Sequence, residues 1–113
     1  MLNPSDPAAF MFIAGQACVH FLKGRPARAL ELATDAAARY PDWDFTWMVL
    51  GAAAIRCGDA ALAAQAVENL KRVLPNAALS HPISKVFRDP ARRDALIDAL
   101  RDAGLPGHAN SAD

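Results

Sequence analysis

Residue types that shape helical turns recur at a fixed distance along this chain. Gly24, Ala27, Ala29 and Pro41 are followed 34 positions later by the same four residue types. The second set consists of Gly58, Ala61, Ala63 and Pro75. A period in this range is typical of stacked helical units, each too small to bury its apolar face alone. The spacing therefore predicts two consecutive repeats.

Helix signals occur along the whole chain, and strand signals are absent. Asp6-Pro7 and Asp89-Pro90 each place a proline directly after a residue that caps helices well. Single glycines follow the apolar runs, where they are expected to end helices. We therefore predict an all-α fold. The predicted helices cover about 7–23, 25–39, 42 or 44–57, 59–73 and 90–103, with a short helix at about 80–87.

The second repeat carries bulky, small and turn-forming residues at characteristic positions. These residues are Trp47, Leu50, Gly51, Gly58, Asp59, Ala63 and Pro75. Their spacing resembles the tetratricopeptide repeat. The first repeat matches at fewer positions, which are Ala17, Gly24, Ala29, Ala36 and Pro41. The resemblance implies two helical hairpins, at about 7–41 and 42–75, stacked as a short right-handed solenoid.

The C-terminal part carries a second resemblance. Residues 87–90 and 97–106 are similar to the closing segment of bacterial proteins in which a nucleotide cyclase domain, or a winged-helix regulator, carries C-terminal tetratricopeptide repeats. This implies a domain over 1–106, closed by a short helix and a capping helix within 80–104, and a flexible tail at 107–113. Leu2-Asn3-Pro4 is similar to the end of a preceding repeat. We therefore interpret the chain as the C-terminal regulatory end of a larger cytoplasmic signalling protein.

The tetratricopeptide resemblance also implies a binding groove, lined by the first helix of each hairpin. Its inward positions are Met11, Ala14, Cys18, Phe21, Leu22, Phe45, Met48, Ala52, Ile55 and Arg56. This lining is mostly apolar, so the expected partner is a protein or peptide with an apolar face. The alternative is that the chain's own segment Leu79–Phe87 fills the groove. A clamp for a terminal carboxylate is not expected, since the inward positions hold no lysine or asparagine.

The first helix is apolar nearly all round, from Phe10 to Leu22. Such a helix needs protein on every side. An upstream repeat, a second copy of the chain or a ligand could provide the missing cover. We hypothesise self-association, as a homodimer, through Phe10, Phe12 and Ile13.

Several functions are not expected from this composition. The formal net charge is zero, so no overall field would attract nucleic acid or an anionic membrane. The histidines are scattered, and no catalytic, metal or cofactor motif is present. We therefore predict a protein-interaction module and not an enzyme. Cys18 and Cys57 are expected to be buried, reduced thiols.

Two other functions remain open. The chain could be a structural cap of a longer repeat array, with no ligand of its own. Less favoured is a small-molecule pocket lined by Met11, Phe21, Phe45, Met48 and Phe87, because nothing polar converges there to select a ligand.

Overall fold

The computed structural model describes residues 7–74 and 90–105. These ranges form α-helices joined by short turns and contain no strand, which confirms the all-α prediction. The helices are α1 (Pro7–Leu22), α2 (Pro26–Arg39), α3 (Asp44–Arg56), α4 (Ala60–Val73) and α5 (Pro90–Ala103). Their bounds agree with the expected bounds to within a few residues. The predicted short helix at 80–87 and the predicted flexible tail at 107–113 lie outside the described residues.

Three helices end in the same hydrogen-bonded turn around a glycine. Gly24, Gly58 and Gly104 have φ angles of 77°, 82° and 109°. After α1, the Arg25 amide donates to the His20 carbonyl at 2.9 Å. In this Schellman motif, the residue after the glycine donates its amide to the carbonyl of the residue five positions before that donor. The same bond occurs after α3 and α5. Because a side chain is disfavoured at such φ values, these glycines set where the helices stop.

Local signals also set the helix starts. Pro26 occupies the first turn of α2, where its missing N–H leaves no intrahelical hydrogen bond unmade. Asp59 caps α4, and its Oδ1 accepts a hydrogen bond from the Leu62 amide at 3.0 Å. These two starts follow directly from the residue types at those positions.

The helices pack in two pairs, and α5 adds to the second. α1 contacts α2, and α3 contacts α4, α2 and α1. α5 lies mainly on α3, with further contacts to α4 and α1. Many core positions are fully buried alanines, namely Ala14, Ala17, Ala29, Ala33, Ala36, Ala52, Ala53, Ala54, Ala63 and Ala99. Side chains this small let helix backbones approach closely, so the core depends on short distances between helices.

No helix in the ranges 7–74 and 90–105 combines the length and the apolar character needed to cross a membrane.

Candidate protein-binding surfaces

The residues predicted to line the groove lie in three different environments. Ala14, Cys18, Phe21, Met48 and Ala52 are buried. Leu22, Phe45 and Ile55 are half-buried, and Met11 and Arg56 are exposed. The ten residues therefore do not form one open surface in this structure.

α5 covers the side of α3 that was predicted to face the groove. Leu96 and Leu100 share one buried cluster with Met48 and Ala52. A Cβ atom placed at Gly51 would lie 3.6 Å from Leu100 Cδ2, so α5 is in direct contact with α3 there. α5 thus takes the place in which an apolar guest was expected. The alternative filler, Leu79–Phe87, lies outside the described residues.

Gly51 lies where α3 and α4 approach each other, as its small size in the sequence led us to expect. The Cβ atom at this position would be 3.5 Å from the Ala66 Cβ, which is an ordinary van der Waals distance. Alanine would therefore fit where the sequence pattern has glycine. The approach of α3 and α4 needs a small residue at position 51, but it does not need glycine.

One ion pair connects α5 to the end of α3. Arg56 Nη1 lies 2.8 Å from Asp102 Oδ2, and the two side chains are 40% and 56% exposed. Because water screens both charges, such a pair stabilises a fold by at most about 1 kcal/mol. Arg56, one of the predicted groove-lining residues, is thus both solvated and paired. Apolar burial, and not this pair, therefore holds α5 in place.

An open hollow of about 480 Å³ remains where the turn after α1 faces α5. It is lined by Phe21, Leu22, Gly24, Pro26, Arg56, Ala95 and Asp98. The two charged residues in this lining are already engaged, Arg56 with Asp102 and Asp98 with Arg101. Phe87 lies outside the described residues; of the other four expected to line a small-molecule pocket, the hollow includes Phe21 but not Met11, Phe45 or Met48. The lining therefore offers no spare charge with which to select a polar ligand.

A narrower slot of about 260 Å³ lies between α2 and α4. Trp47 and Leu50 line it together with alanines of both helices. The Trp47 indole is fixed at its other end, since Nε1 donates to the Pro41 carbonyl at 2.7 Å. Trp47 thus joins α3 to the segment that follows α2.

α1 presents a large apolar surface to solvent. Whereas Ile13 and Leu22 are half-buried and Phe21 is buried, Phe12, Met11 and Val19 are 59%, 51% and 46% exposed. Gly15 and Gln16 lie between them, and a Cβ atom at Gly15 would meet no atom within 4 Å. We call the three exposed residues, together with Gly15 and Gln16, the α1 outer face. Ile13 is half-buried beside it, and the Phe10 side chain lies outside the described residues.

The α1 outer face has a counterpart on α3. Positions 12, 15, 16 and 19 correspond, one period later, to Thr46, Val49, Leu50 and Ala53. All four of these α3 residues are buried, and Val49 and Leu50 cluster with Ala33 and Ala37 of α2. The same helix face is therefore covered by a helix in the second repeat and exposed in the first.

The two cysteines differ, and the expectation for one of them is wrong. Cys18 is buried, as expected, whereas Cys57 is exposed. Cys57 follows directly after α3 and begins the turn to α4, so its side chain reaches solvent. Burial raises the pKa of the Cys18 thiol from 9.0 to about 11. Cys18 is thus a weak nucleophile at neutral pH.

Cys18 should make the stability of the fold depend on alkaline pH. The unfolded thiol loses its proton near pH 9, whereas the folded thiol keeps it up to about pH 11. Stability due to this group is complete below pH 9 and is lost as the pH rises towards 11. Between about pH 8 and about pH 10.5 the free energy of unfolding should fall by about 2 kcal/mol more than in Cys18→Ala. Urea unfolding of both proteins at the two pH values measures this; equal losses would contradict it.

The described residues show no group of three histidine, cysteine or acidic side chains placed to hold a metal ion. His20 is half-buried, and its Nδ1 has no hydrogen-bond partner among the residues that the structure describes. It is the one histidine in the ranges 7–74 and 90–105.

No protein-family model matches the sequence, and comparison with curated proteins finds no relative.

Proposed function

We propose that this chain is a tetratricopeptide-type repeat module that binds protein and performs no chemistry. The period of 34 residues supports the repeat assignment. So does the agreement between the two helix pairs, which both turn at a glycine in the same Schellman geometry. The exposed apolar residues of α1 support a binding role, because soluble proteins rarely leave several large apolar side chains together in water without a use for them.

The α1 outer face is the proposed binding surface, and its exposure is the observation that carries the proposal. Phe12 is the most exposed large apolar residue there, and its counterpart Thr46 is fully buried under a neighbouring helix. The groove is a weaker candidate, since α5 already packs on Met48 and Ala52. Met11 belongs to both the expected groove lining and the outer face, so part of the original lining stays accessible.

The proposed setting is the C-terminal regulatory end of a larger bacterial signalling protein in the cytoplasm. The resemblance of residues 87–90 and 97–106 to the closing segment of cyclase-like and regulator proteins supports it. The exposed thiol of Cys57 fits a reducing compartment, where such thiols persist.

A role as a structural cap is the second candidate, and α5 favours it. One side of this helix is buried through Leu96 and Leu100, and the other exposes Asp94, Asp98 and Arg101. A helix with one apolar and one charged face is what closes a repeat array against water. Capping at α5 and binding at the α1 outer face use different residues, so one chain could do both.

Site-specific photocrosslinking tests the binding role. A benzoylphenylalanine is placed at position 12 of the full chain, or, as a matched control, at the exposed position 64 on α4. Both proteins are irradiated in the cells that make the chain naturally. We expect discrete protein adducts from position 12 and few from position 64, because position 12 lies among exposed large apolar side chains whereas position 64 is an exposed alanine.

The mass of the adduct identifies what covers the surface. An adduct of about twice the mass of the uncrosslinked protein is a second copy, and any other discrete mass is a different protein. The absence of discrete adducts from position 12, or equal adducts from both positions, would overturn the proposed function.

A further inference from the structure

Two exposed apolar residues of the α1 outer face, Phe12 and Val19, are two helical turns apart. Phe12 and Val19 therefore lie almost in line along α1. Gly15 and Gln16 flank that line on either side, halfway between them. Since the space over Gly15 is open, the face has a shallow notch between two apolar side chains. This shape can fit another helix that offers a projecting side chain on each side of a small residue.

Head-to-tail stacking of copies is disfavoured by charge at the other end of the fold. It would require α4 to receive α1 of the next copy, as α2 receives α3 within one copy. Ala33 and Ala37 of α2, which pack against α3, correspond one period later to Val67 and Lys71 of α4, and Lys71 lies 3.9 Å from the exposed Glu68. Among the described residues, a second copy offers its own α1 outer face as the main exposed apolar surface. Such an arrangement is a closed, two-fold pair.

The absence of charge on α1 makes this helix compatible with itself. Its sequence from Pro7 to Leu22 contains no Asp, Glu, Lys or Arg. In a two-fold interface each surface meets its own copy, and a charged face would meet a like charge at close range. We infer that the α1 outer face is covered by the α1 outer face of a second copy, with the two helices antiparallel. This inference rests on the proposed function and names its partner.

The antiparallel register follows from the positions of the large and small residues. A two-fold axis between Gly15 and Gln16 brings Phe12 of each copy beside Val19 of the other. It also sets Gly15 opposite Gln16, so the helices approach at the notch. A parallel pair would stack Phe12 on Phe12 and leave Gly15 facing Gly15 across a gap. Antiparallel helix dipoles are favourable as well.

The size of the surface limits the strength of the pair. A helix of 16 residues is about 24 Å long, and one such contact is smaller than a standard interface. We therefore expect a dimer that dissociates on dilution, with a dissociation constant in the micromolar range or above. Its formation would depend on the concentration of the chain in the cell.

Sedimentation equilibrium of the full chain, from about 1 μM to about 1 mM, tests the pair and its register. The wild type should change from monomer to dimer across this range. Phe12→Glu and Val19→Lys should each weaken the dimer at least about tenfold, because a charge placed against an apolar side chain loses its hydration without gaining a partner. The double variant F12E/V19K should recover most of the affinity, since each glutamate then faces a lysine of the other copy. Ala64→Glu, an exposed position on α4, should change nothing.

The outcomes separate this inference from the proposed function. A wild type that remains monomeric at about 1 mM overturns the inference, and so do single variants that associate normally. Failure of F12E/V19K to recover association overturns the antiparallel register, because residues 12 and 19 would then not face each other. Circular dichroism shows whether the variants keep their helices, as expected for substitutions at exposed positions.

If the wild type is monomeric but position 12 crosslinks to a different protein, the inference fails and the proposed function stands. If position 12 crosslinks to nothing, both fail.

Discussion

Replacing Leu100 by alanine is expected to lower the free energy of unfolding by about 2–5 kcal/mol. Leu100 is buried, and it shares the cluster that joins α5 to Met48 and Ala52 of α3. Removing the side chain forfeits its burial and leaves a cavity that α5 can close only in part. Urea unfolding followed by circular dichroism measures the loss. The effect should be large because α5 is held mainly by a few side chains of this kind.

Asp102→Asn is the matched control on the same helix. It breaks the ion pair with Arg56, but both side chains are half exposed, so the expected loss is at most about 1 kcal/mol. A larger loss from Asp102→Asn than from Leu100→Ala would mean that charge holds α5 on α3. Near-neutral results from both would mean that α5 does not pack on α3 in solution. The groove would then be open to a guest, and the ten predicted lining residues would again be the leading candidates for a binding site.

The helices could be predicted from the sequence because their ends are set by local chemistry. Asp59 accepts a bond from an amide three residues away, and Gly24 and Gly58 adopt a conformation that other residues avoid. Both effects depend on residues within about one helical turn, so the sequence contains all that is needed to recognise them. The fixed period also predicted that the helices form two pairs, because equivalent residues recur in both units.

The position of α5 could not be predicted in the same way. The spacing of Leu96, Ile97 and Leu100 indicates which side of α5 is apolar, but not which distant surface that side will cover. The chosen surface includes Met48 and Ala52, more than 40 residues earlier in the chain. The groove lining was predicted from the tetratricopeptide resemblance, which assigns each residue to one side of its own helix. The resemblance did not say whether another helix of the same chain would lie there.

The α1 outer face shows a different limit. The helix is apolar on nearly every side, so its periodicity does not distinguish a buried face from an exposed one. The sequence predicts that something should cover α1, and Phe12 is exposed in the structure. However, Met11 and Val19 emerged as part of the same surface only when the packing of α2 and α3 fixed the rotation of α1. The relation between positions 12 and 46 was available from the period, and it was the signal that could have located this face.

Replacing Ala63 by leucine should destabilise the fold by about 3 kcal/mol or more, because it overfills a contact that depends on small residues. Ala63 is fully buried on α4, and its carbonyl oxygen would lie 3.9 Å from a Cβ atom at Gly51. The α4 backbone is therefore close to α3 at this point. A larger side chain must either push the two helices apart or adopt a strained rotamer. Urea unfolding again measures the change, with near-ultraviolet circular dichroism of Trp47 as a probe of packing between α3 and α2.

Ala64→Leu supplies the control, one residue further along the same helix. Ala64 is exposed, so the same added atoms enter water and the free energy of unfolding should change by no more than about 0.5 kcal/mol. The difference between the two variants isolates the effect of close packing, because their helix propensities change equally. If Ala63→Leu is as stable as Ala64→Leu, then α3 and α4 do not approach as closely as this structure has them. The alanine pattern that both repeats share would then need another explanation, such as helix propensity alone.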